Sequence, residues 1–286
     1  MIVKDSPEGT DAARPRPFLK WAGGKGQLLA ELQDRLPVSF GAYHEPFLGG
    51  GALFFDLSSR GRLAGGAFLS DLNPVLVETY ATVRDRVEEV ITALLRHRNE
   101  SDHFYATRAL DPATLTPVER TARVIFLNRT CYNGLYRENR SGRFNVPFGR
   151  YVNPTICDHA NLRAVSLALH DVDLSRADFT AVVERARPGD LAYFDPPYQP
   201  VSATSSFTAY HHDGFGEDCQ QALREVFATL AARGVNVLLS NSDTPFIRRL
   251  YAGFRIDSVR AKRAINSRID RRGSVGEVIV VGGPAA

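Results

Sequence analysis

The sequence contains few cysteines and no long hydrophobic run. Its three cysteines, Cys131, Cys157 and Cys219, are far apart and lack zinc-ligand spacing, so we expect no structural zinc. Unpaired thiols in odd number indicate a reducing compartment, and we expect a cytoplasmic protein. No segment approaches the roughly 20 apolar residues of a membrane helix. The first residues have no apolar stretch typical of a secretory signal, and residues 1–14 are interpreted as a disordered lead-in.

The net charge is only +3, but the charges are unevenly distributed. Residues 120–150 contain seven arginines and one acid, and residues 255–272 contain seven basic residues and two acids. The rest of the chain is therefore acidic. Two basic segments on an acidic body are typical of a protein that contacts a polyanion, although solvated surface charge would give the same count.

The pattern of apolar residues predicts an α/β fold. Short, nearly continuous apolar runs predict strands covered on both faces, at 67–71, 167–172, 191–194, 235–240 and 277–281. Apolar residues at three- and four-residue spacing predict helices at 27–36, 75–98, 117–128, 218–232 and 245–251. Strands that alternate with helices indicate a doubly wound sheet.

One segment interrupts this alternation. Residues 74–154 contain helical patterns and loops but no convincing central strand, and they include the first basic cluster. We therefore expect residues 15–73 and 155–286 to form one α/β domain. Residues 74–154 would be inserted between its second and third strands as a mostly helical subdomain.

A glycine-rich turn, EPFLGGG at 45–51, follows a short possible strand. Glycines at such a turn let the backbone approach a ligand and leave helix N–H groups free for it. The turn is not a GxGxxG fingerprint, and no GK[ST] follows it, so a phosphate-binding loop is excluded. Asp71, at the end of the next predicted strand, can accept hydrogen bonds from both hydroxyls of a ribose, or it can cap the following helix. The glycine turn and Asp71 together favour a ligand that contains adenosine.

The sequence Asp195-Pro196-Pro197-Tyr198 directly follows the predicted strand 191–194, where ligands of open α/β sheets bind. The two prolines fix the backbone and remove two N–H donors, so that nearby carbonyls remain acceptors. The Asp195 carboxylate and such a carbonyl can jointly accept both hydrogens of an amino group. The ring of Tyr198 offers a flat face for a planar base. Because stacking needs only the ring, Phe should be tolerated at position 198.

This arrangement suits methylation of an exocyclic amine. The lone pair of such an amine is delocalised into the aromatic ring, which makes the nitrogen a poor nucleophile. Two acceptors that hold its hydrogens out of the ring plane would localise the lone pair and stabilise the positive charge that develops on nitrogen. No Pro-Cys motif is present to supply the covalent nucleophile that C5-cytosine chemistry requires.

These motifs resemble the DNA adenine methylase (Dam) family in kind and order, together with FLKWAGGK at 18–25, the segment 127–137, FNVPFG at 144–149 and the loop 207–215. The resemblance covers about residues 17–281. It implies a Rossmann-like class I methyltransferase that transfers a methyl group from S-adenosylmethionine to N6 of adenine in double-stranded DNA, after flipping the base. It implies no metal and no obligate protein partner, and we interpret His211 and His212 as loop or DNA-facing residues.

The resemblance also implies roles for individual residues. The catalytic residues would be Asp195, Pro196, Pro197 and Tyr198. The residues that contact the cofactor would be Trp21, Lys25, Glu45, Phe47, Gly49, Gly51, Asp71, Asp178, Phe179 and Asp195, although Asp178 could equally cap a helix. The loop 199–214 is expected to be mobile without DNA and to close over the flipped adenine.

The DNA contacts implied by the resemblance involve Lys20, Arg129, Tyr132, Asn133, Leu135, Arg137, Asn145 and Pro147. The implied recognition site is GATC, read by a hairpin in the major groove of the inserted DNA target-recognition domain. Lys20 would read the first guanine, Leu135, Arg137 and Pro147 would read the TC half, and Tyr132 and Asn133 would fill the gap left by the flipped base. Arg129, Arg140, Arg143 and Arg150 would mainly hold phosphates. The departures from the family at Tyr136, Glu138 and Arg143 could shift the preferred context.

Three alternatives stay open at this point. An N4-cytosine methyltransferase would use the same amine chemistry but would typically carry Ser in place of Asp195. An RNA or protein-glutamine methyltransferase would share the cofactor fold but would leave the basic inserted segment unexplained. A DNA-binding protein without activity would be expected to have lost Asp195 or Lys25, and both are present.

Overall fold

The computed structural model describes residues 13–21, 23–139, 141–200, 215–261, 275–284 and 286. Its strands are β1 Tyr43–Glu45, β2 Ala67–Asp71, β3 Asp173–Arg176, β4 Leu191–Phe194, β5 Asn236–Ser242, β6 Arg255–Ala261 and β7 Val275–Gly282. They form one sheet in the order β3-β2-β1-β4-β5-β7-β6. Strands β1 to β5 are parallel, and β7 is antiparallel to its neighbours β5 and β6. The predicted Rossmann-like α/β fold is confirmed.

The direction of the strand order reverses between β1 and β4. These two strands pair in parallel, with Tyr43 opposite Leu191 and His44 opposite Ala192. In open α/β sheets the ligand crevice lies beyond the carboxyl ends of the strands at such a reversal. The fold therefore places the glycine turn that follows β1 beside the turn that follows β4.

Helices cover both faces of the sheet. In chain order they are α1 Leu29–Gln33, α2 Ala52–Ser59, α3 Pro74–Asp85, α4 Val87–Leu94, α5 Ser101–Ala109, α6 Pro117–Thr130, α7 His159–Leu169, α8 Val182–Arg185, α9 Glu217–Ala232 and α10 Pro245–Leu250. Local sequence determines several of their starts. Helix α6, for example, begins with a capping box in which Thr116 and Glu119 each accept from the other's backbone N–H, and Pro117 occupies the first helical position.

The alternation of side chains along the central strands separates two hydrophobic cores. On β4, Leu191 and Tyr193 pack into the first core, whereas Ala192 and Phe194 pack into the second. The four side chains of β4 are all buried, as expected for a strand covered on both faces. The first core also contains residues of α3 to α6, so the helical segment after β2 shares a core with one face of the sheet.

Three predicted elements differ from those in the structure. The strand predicted at 167–172 is wrong, because α7 extends to Leu169 and β3 begins only at Asp173. Asp158 caps this helix by accepting from the Asn161 N–H, and its buried positions follow helical spacing. The single helix predicted at 75–98 is interrupted at Arg86 and forms α3 and α4. The helix predicted at 27–36 is reduced to α1, after a short 3-10 turn at Lys25–Gln27.

The segment 74–154 contains α3 to α6 and, as predicted, no strand among its described residues. Helix α3 contacts β2 and β3, so the insertion begins against the sheet. The predicted limits of the inserted domain stay a prediction.

The predicted lead-in lies almost entirely outside the described residues. In the described part of the chain, no helix is both long and apolar enough to cross a membrane. All three cysteines are free.

Candidate active site

The carboxyl group of Asp195, directly after β4, lies in a polar cluster. Its Oδ1 is 2.7 Å from the Lys25 ammonium nitrogen, and Lys25 is only 6% exposed. The Ser240 hydroxyl donates to the same oxygen at 3.0 Å. Burial raises the pKa of Asp195, and the interactions with Lys25 and Ser240 limit the rise. No donor among the described residues contacts Oδ2, which makes this oxygen the candidate acceptor for an amine.

Ser240 is held in turn by a buried tyrosine. The Tyr193 hydroxyl on β4 lies 3.0 Å from the Ser240 oxygen on β5. Burial raises the pKa of Tyr193 well above its ordinary value, so its hydroxyl stays protonated and can donate. Because Ser240 donates to Asp195, a consistent network runs from Tyr193 through Ser240 to Asp195. Two neighbouring strands thus fix the orientation of the carboxylate.

Tyr198 is fixed at both its ring and its hydroxyl. The Lys25 ammonium lies 4.4 Å from the ring centroid, and the hydroxyl donates to Glu277 Oε2 on β7 at 2.9 Å. Burial, with Asp195 nearby, raises the pKa of Tyr198 well above its ordinary value. The hydroxyl therefore has a partner that the sequence did not reveal, and the expectation that Phe is tolerated at position 198 loses its basis.

The glycine turn after β1 is a close-packed cradle. Gly49 and Gly51 have φ values of +46° and +63°, which favour glycine, and a Cβ on Gly49 would lie 3.1 Å from Trp21 Cδ1. The Gly49 N–H donates to Asp71 Oδ2 at 3.2 Å, which joins this turn to the end of β2. The cap of α3 is Asn73, whose side chain accepts from the backbone of the first turn. Asp71 is therefore not the cap itself, but its Oδ1 accepts from the N–H of Asn73 at 2.9 Å.

Aromatic rings line the neighbouring part of the crevice. Phe47 stacks on Phe179 with ring centroids 5.5 Å apart and also contacts Phe194 and Phe215 edge to face. Asp178 caps the short turn Phe179–Ala181 by accepting from the Thr180 N–H at 2.9 Å. The capping role is thus present, and the adenine contact of Asp178 stays a prediction.

Glu45 lies at the end of β1 and is almost fully buried. Its Oε2 accepts from the Tyr43 hydroxyl at 2.9 Å. Burial raises the pKa of Glu45 to about 8, against the opposing effect of the Tyr43 hydrogen bond. The side chain is therefore held in the protein interior, and its predicted contact with the cofactor stays a prediction.

A buried asparagine brings together two segments that the sequence placed in the DNA interface. Asn128, near the end of α6, exchanges hydrogen bonds of 2.7 Å with both the N–H and the carbonyl of Lys20, and it donates to the Gly134 carbonyl at 3.1 Å. Gly134 has a φ of +63°, and a Cβ there would collide with the Lys20 side chain. Lys20 and the turn at Tyr132–Gly134 therefore form one surface.

The two segments predicted to read the DNA sequence pair with each other as a hairpin, and their role in recognition stays a prediction. The Asn145 N–H donates to the Arg137 carbonyl at 3.0 Å, and the Tyr132 N–H donates to the Pro147 carbonyl at 2.9 Å. The side chains of Tyr132, Arg137 and Pro147 are exposed. The Arg137 Nε donates to Asn145 Oδ1 at 2.7 Å, so the position of this guanidinium is already defined within the hairpin.

Other residues of the predicted interface are less accessible. Asn133 is exposed, and Leu135 and Arg129 are half-buried. Burial lowers the pKa of Arg129. Of the arginine cluster, Arg123 is buried and donates to backbone carbonyls at the end of α5, and Arg120 pairs with Glu78 at 2.6 Å. Arg120 and Arg123 are thus engaged within the protein, and neither is among the arginines predicted to hold phosphates. Arg140, His211, His212 and most of the loop 199–214 lie outside the described residues.

Tyr136 connects this hairpin to the cofactor crevice. Its ring stacks on Trp21 with centroids 5.2 Å apart and an interplanar angle of 25°. Its hydroxyl donates to Glu138, so two of the departures from the family pattern interact with each other. Trp21 therefore lies between the glycine turn and the hairpin.

The glycine cradle with Asp71 beside it, and the acceptor-rich turn across a Rossmann-like crevice, fit an adenosine-containing methyl donor. These are features expected of an S-adenosylmethionine-dependent methyltransferase. The chain belongs to the D12 class N6 adenine-specific DNA methyltransferases, whose family model matches residues 21–265. It is accordingly an adenine-N6 DNA methyltransferase, and its methyl donor is S-adenosylmethionine.

Similar proteins support this assignment over nearly the whole chain. The chain is 40% identical over 273 residues to the type II methyltransferase M1.LlaDCHI of Lactococcus lactis subsp. cremoris, covering 93% of this chain and 94% of that protein. It is 41% identical over 275 residues to the type II methyltransferase M.MjaIII of Methanocaldococcus jannaschii, covering 90% and 95%. It is 35% identical over 271 residues to a DNA adenine methylase of Serratia marcescens, covering 93% and 98%.

Several residues of the site carried no motif. Ser240, Asn241 and Glu277 come from β5 and β7, and Gln220 comes from α9. The available signal was the polar run Ser-Asn-Ser at the end of a strand that is otherwise apolar. In a strand buried on both faces, polar side chains need partners, and such partners are frequent at functional sites.

Proposed function

We propose that the enzyme methylates N6 of adenine within GATC in double-stranded DNA, on a base flipped into the crevice. Asp195, Pro196, Pro197 and Tyr198 form its catalytic turn in this proposal. The observation that carries it is the geometry of Asp195, whose Oδ1 is held by Lys25 and Ser240 while no donor in the described part of the chain contacts its Oδ2. A flipped base is required because the amine cannot reach a buried carboxylate while it is stacked in a duplex.

The residues of the chain would prepare the amine for transfer. Asp195 Oδ2 accepts one N6 hydrogen, and the Pro196 carbonyl, which no described donor contacts, accepts the other. The ring of Tyr198 supports the base. S-adenosylmethionine supplies an electrophilic methyl group on its sulfonium. Lys25 favours the charged form of Asp195, which must be a carboxylate to accept, and the preorganised acceptors stabilise the positive charge that develops on nitrogen.

The cofactor would be held by the cradle opposite. Gly49 and Gly51 permit close approach of the backbone, Asp71 accepts from ribose hydroxyls, and Phe47 with Phe179 offers an apolar wall to the adenine. Trp21 packs directly on this cradle.

Specificity for GATC rests on the resemblance of the segments 131–137 and 144–149 to the Dam family. The exposed Arg137 supports it, because a guanidinium can donate two hydrogen bonds to O6 and N7 of guanine, worth about 1–3 kcal/mol of discrimination. A role for residues 74–154 as the target-recognition domain is part of the same proposal. The cytoplasmic location expected from the cysteines stays a prediction.

Methylation of a plasmid library, read by single-molecule sequencing of modified bases, tests the proposal. We expect N6-methyladenine in GATC after treatment with the wild-type enzyme and at least about a hundredfold less after the same treatment with Asp195→Ala. Adenine methylation centred on another sequence would overturn the specificity. Methylation by the Asp195→Ala variant at a rate near that of wild type would overturn the assignment of the catalytic turn.

A further inference from the structure

The turn after β4 is held by two buried amide side chains that belong to no motif. Gln220 lies in the first turn of α9 and Asn241 near the end of β5, and neither side chain has exposed surface. Asn241 Nδ2 donates to Gln220 Oε1 at 3.1 Å. Gln220 Nε2 donates to the Pro197 carbonyl at 3.1 Å, and the Gln199 N–H donates to Asn241 Oδ1 at 3.0 Å. We call this pair of amides the amide clamp.

The amide clamp forms hydrogen bonds with the backbone on both sides of Tyr198. Proline rings already fix φ at Pro196 and Pro197 near −65°. The hydrogen bond to the Pro197 carbonyl fixes the peptide plane before Tyr198, and the hydrogen bond from the Gln199 N–H fixes the plane after it. The orientation of these two planes determines where the tyrosine ring leaves the backbone. Contacts from a helix and a strand therefore set the position of a side chain in the turn.

The amide clamp also determines which carbonyl the turn can offer. Two prolines without N–H groups leave both of their carbonyls as candidate acceptors. Gln220 occupies that of Pro197, whereas no donor in the described part of the chain contacts that of Pro196. Among the described residues, the hydrogen bond that orients Tyr198 thus leaves the Pro196 carbonyl as the proline carbonyl without a donor.

Packing alone does not account for these amides. A buried amide is costly unless its polar atoms are paired, and an apolar side chain could fill the same space without that cost. Both amides instead direct hydrogen bonds at the two peptide groups that flank Tyr198. Asn241 Oδ1 accepts a further bond from the Ser242 N–H at 2.8 Å, which anchors the clamp to the sheet.

We propose that Gln220 and Asn241 are positioning residues for methyl transfer, which hold Tyr198 in place and reserve the Pro196 carbonyl as the second acceptor for N6. This inference rests on the proposed role of the catalytic turn. It assigns no contact with substrate or cofactor to either amide. Its consequence is that loss of the clamp should slow the chemical step and leave cofactor binding intact.

The test compares purified Gln220→Ala and Gln220→Met with two controls. Asn236→Ala removes another buried amide of β5, whose Nδ2 donates to the Asp190 carbonyl at 3.1 Å near the amino end of the strand. Gln221→Ala changes the exposed neighbour of Gln220. Single-turnover methylation is measured at saturating S-adenosylmethionine and duplex. Cofactor affinity follows from the fluorescence of Trp21, the sole tryptophan, and stability from thermal midpoints.

We expect both Gln220 variants to transfer methyl at least about tenfold more slowly, since a small misplacement of reacting groups is enough for such a loss. Their cofactor affinity should stay within about twofold of wild type, because the clamp contacts the turn and not the cradle. Asn236→Ala should lose stability and keep the wild-type rate. Transfer by both Gln220 variants at the rate of Asn236→Ala would overturn the proposal.

Further variants distinguish a failure of this proposal from misfolding and from a failure of the proposed catalytic turn. Gln220→Met preserves side-chain volume, so the test does not depend on the folding of the Ala variant. The double variant Gln220→Ala/Asn241→Ala should be no slower than the slower single variant, because both residues act through one clamp, and independent losses would contradict this. Activity of Asp195→Ala near that of wild type would instead overturn the proposed catalytic turn, whatever the Gln220 variants show.

Discussion

Replacing Tyr198 with Phe tests the turn most directly, because it removes one hydroxyl and leaves the ring. In the wild type this hydroxyl donates to Glu277 Oε2 at 2.9 Å, and Glu277 is 8% exposed. The raised pKa of Tyr198 keeps the hydroxyl protonated and thus a donor. The variant deprives a buried carboxyl oxygen of this donor. We therefore expect Phe to be damaging at position 198, contrary to the expectation from the sequence.

The expected loss of stability in Tyr198→Phe follows from the burial of Glu277. Loss of a hydrogen-bond partner from a buried polar group costs about 1–3 kcal/mol of unfolding free energy. For a chain of this size, the thermal midpoint should fall by about 2–4 °C per kcal/mol. The ring also loses its anchor on β7, so we expect kcat to fall about tenfold, less than the roughly hundredfold that a 1 Å displacement can cause.

The assay combines thermal unfolding with single-turnover methylation. Tyr105→Phe is the matched control, because Tyr105 is 41% exposed and lies in α5, away from the site. A double variant, Tyr198→Phe/Glu277→Leu, removes both polar partners and should recover much of the lost stability without recovering the rate. If Tyr198→Phe unfolds and turns over like Tyr105→Phe, the bond to Glu277 has no role and the reasoning is refuted.

The remaining predictions concern chemistry, cofactor and DNA. Asp195→Ala should lower kcat about a hundredfold or more. Because burial raises the pKa of Asp195, wild-type kcat should fall as pH decreases through that raised value, and a profile without an acidic limb would contradict the requirement for a carboxylate. Asp71→Ala should weaken S-adenosylmethionine more than it lowers kcat, and a fluorescence titration of Trp21 equal to that of wild type would remove Asp71 from the site. Arg137→Ala should relax base preference, whereas Arg143→Ala should weaken all sequences alike and reduce the salt dependence, and identical effects of both would show a common phosphate role.

Local sequence patterns were sufficient to predict those helices and strands whose formation depends on their own residues. The buried strand β4 appears as a continuous apolar run, β5 contains the apolar stretch Val237-Leu238-Leu239, and α9 follows its three- and four-residue spacing. Prediction from local patterns failed at 167–172. A short apolar run at the end of a helix resembles a strand, because the run is too short to show the helical spacing. Strand β6 was not anticipated, because four of its seven residues are polar and it lies at the edge of the sheet.

The sequence alone determined the order of the motifs and the chemistry that they can perform. Asp195 with two prolines and a tyrosine indicates an amine acceptor wherever it is placed, because the functional groups and the restricted backbone belong to those four residues. Similarly, the glycine turn and Asp71 indicate an adenosine ligand from their spacing alone. These conclusions needed no knowledge of which strands are neighbours.

Only the tertiary structure decided what lies around the turn. The pairing of β1 with β4 brings the glycine turn and Asp195 together, although about 150 residues separate them in the chain. Glu277 reaches Tyr198 because β7 pairs antiparallel with β5 in a register that places Glu277 opposite Ser242. The partner of a buried polar group is set by strand order, register and helix packing, and these depend on contacts between distant residues that no local pattern specifies.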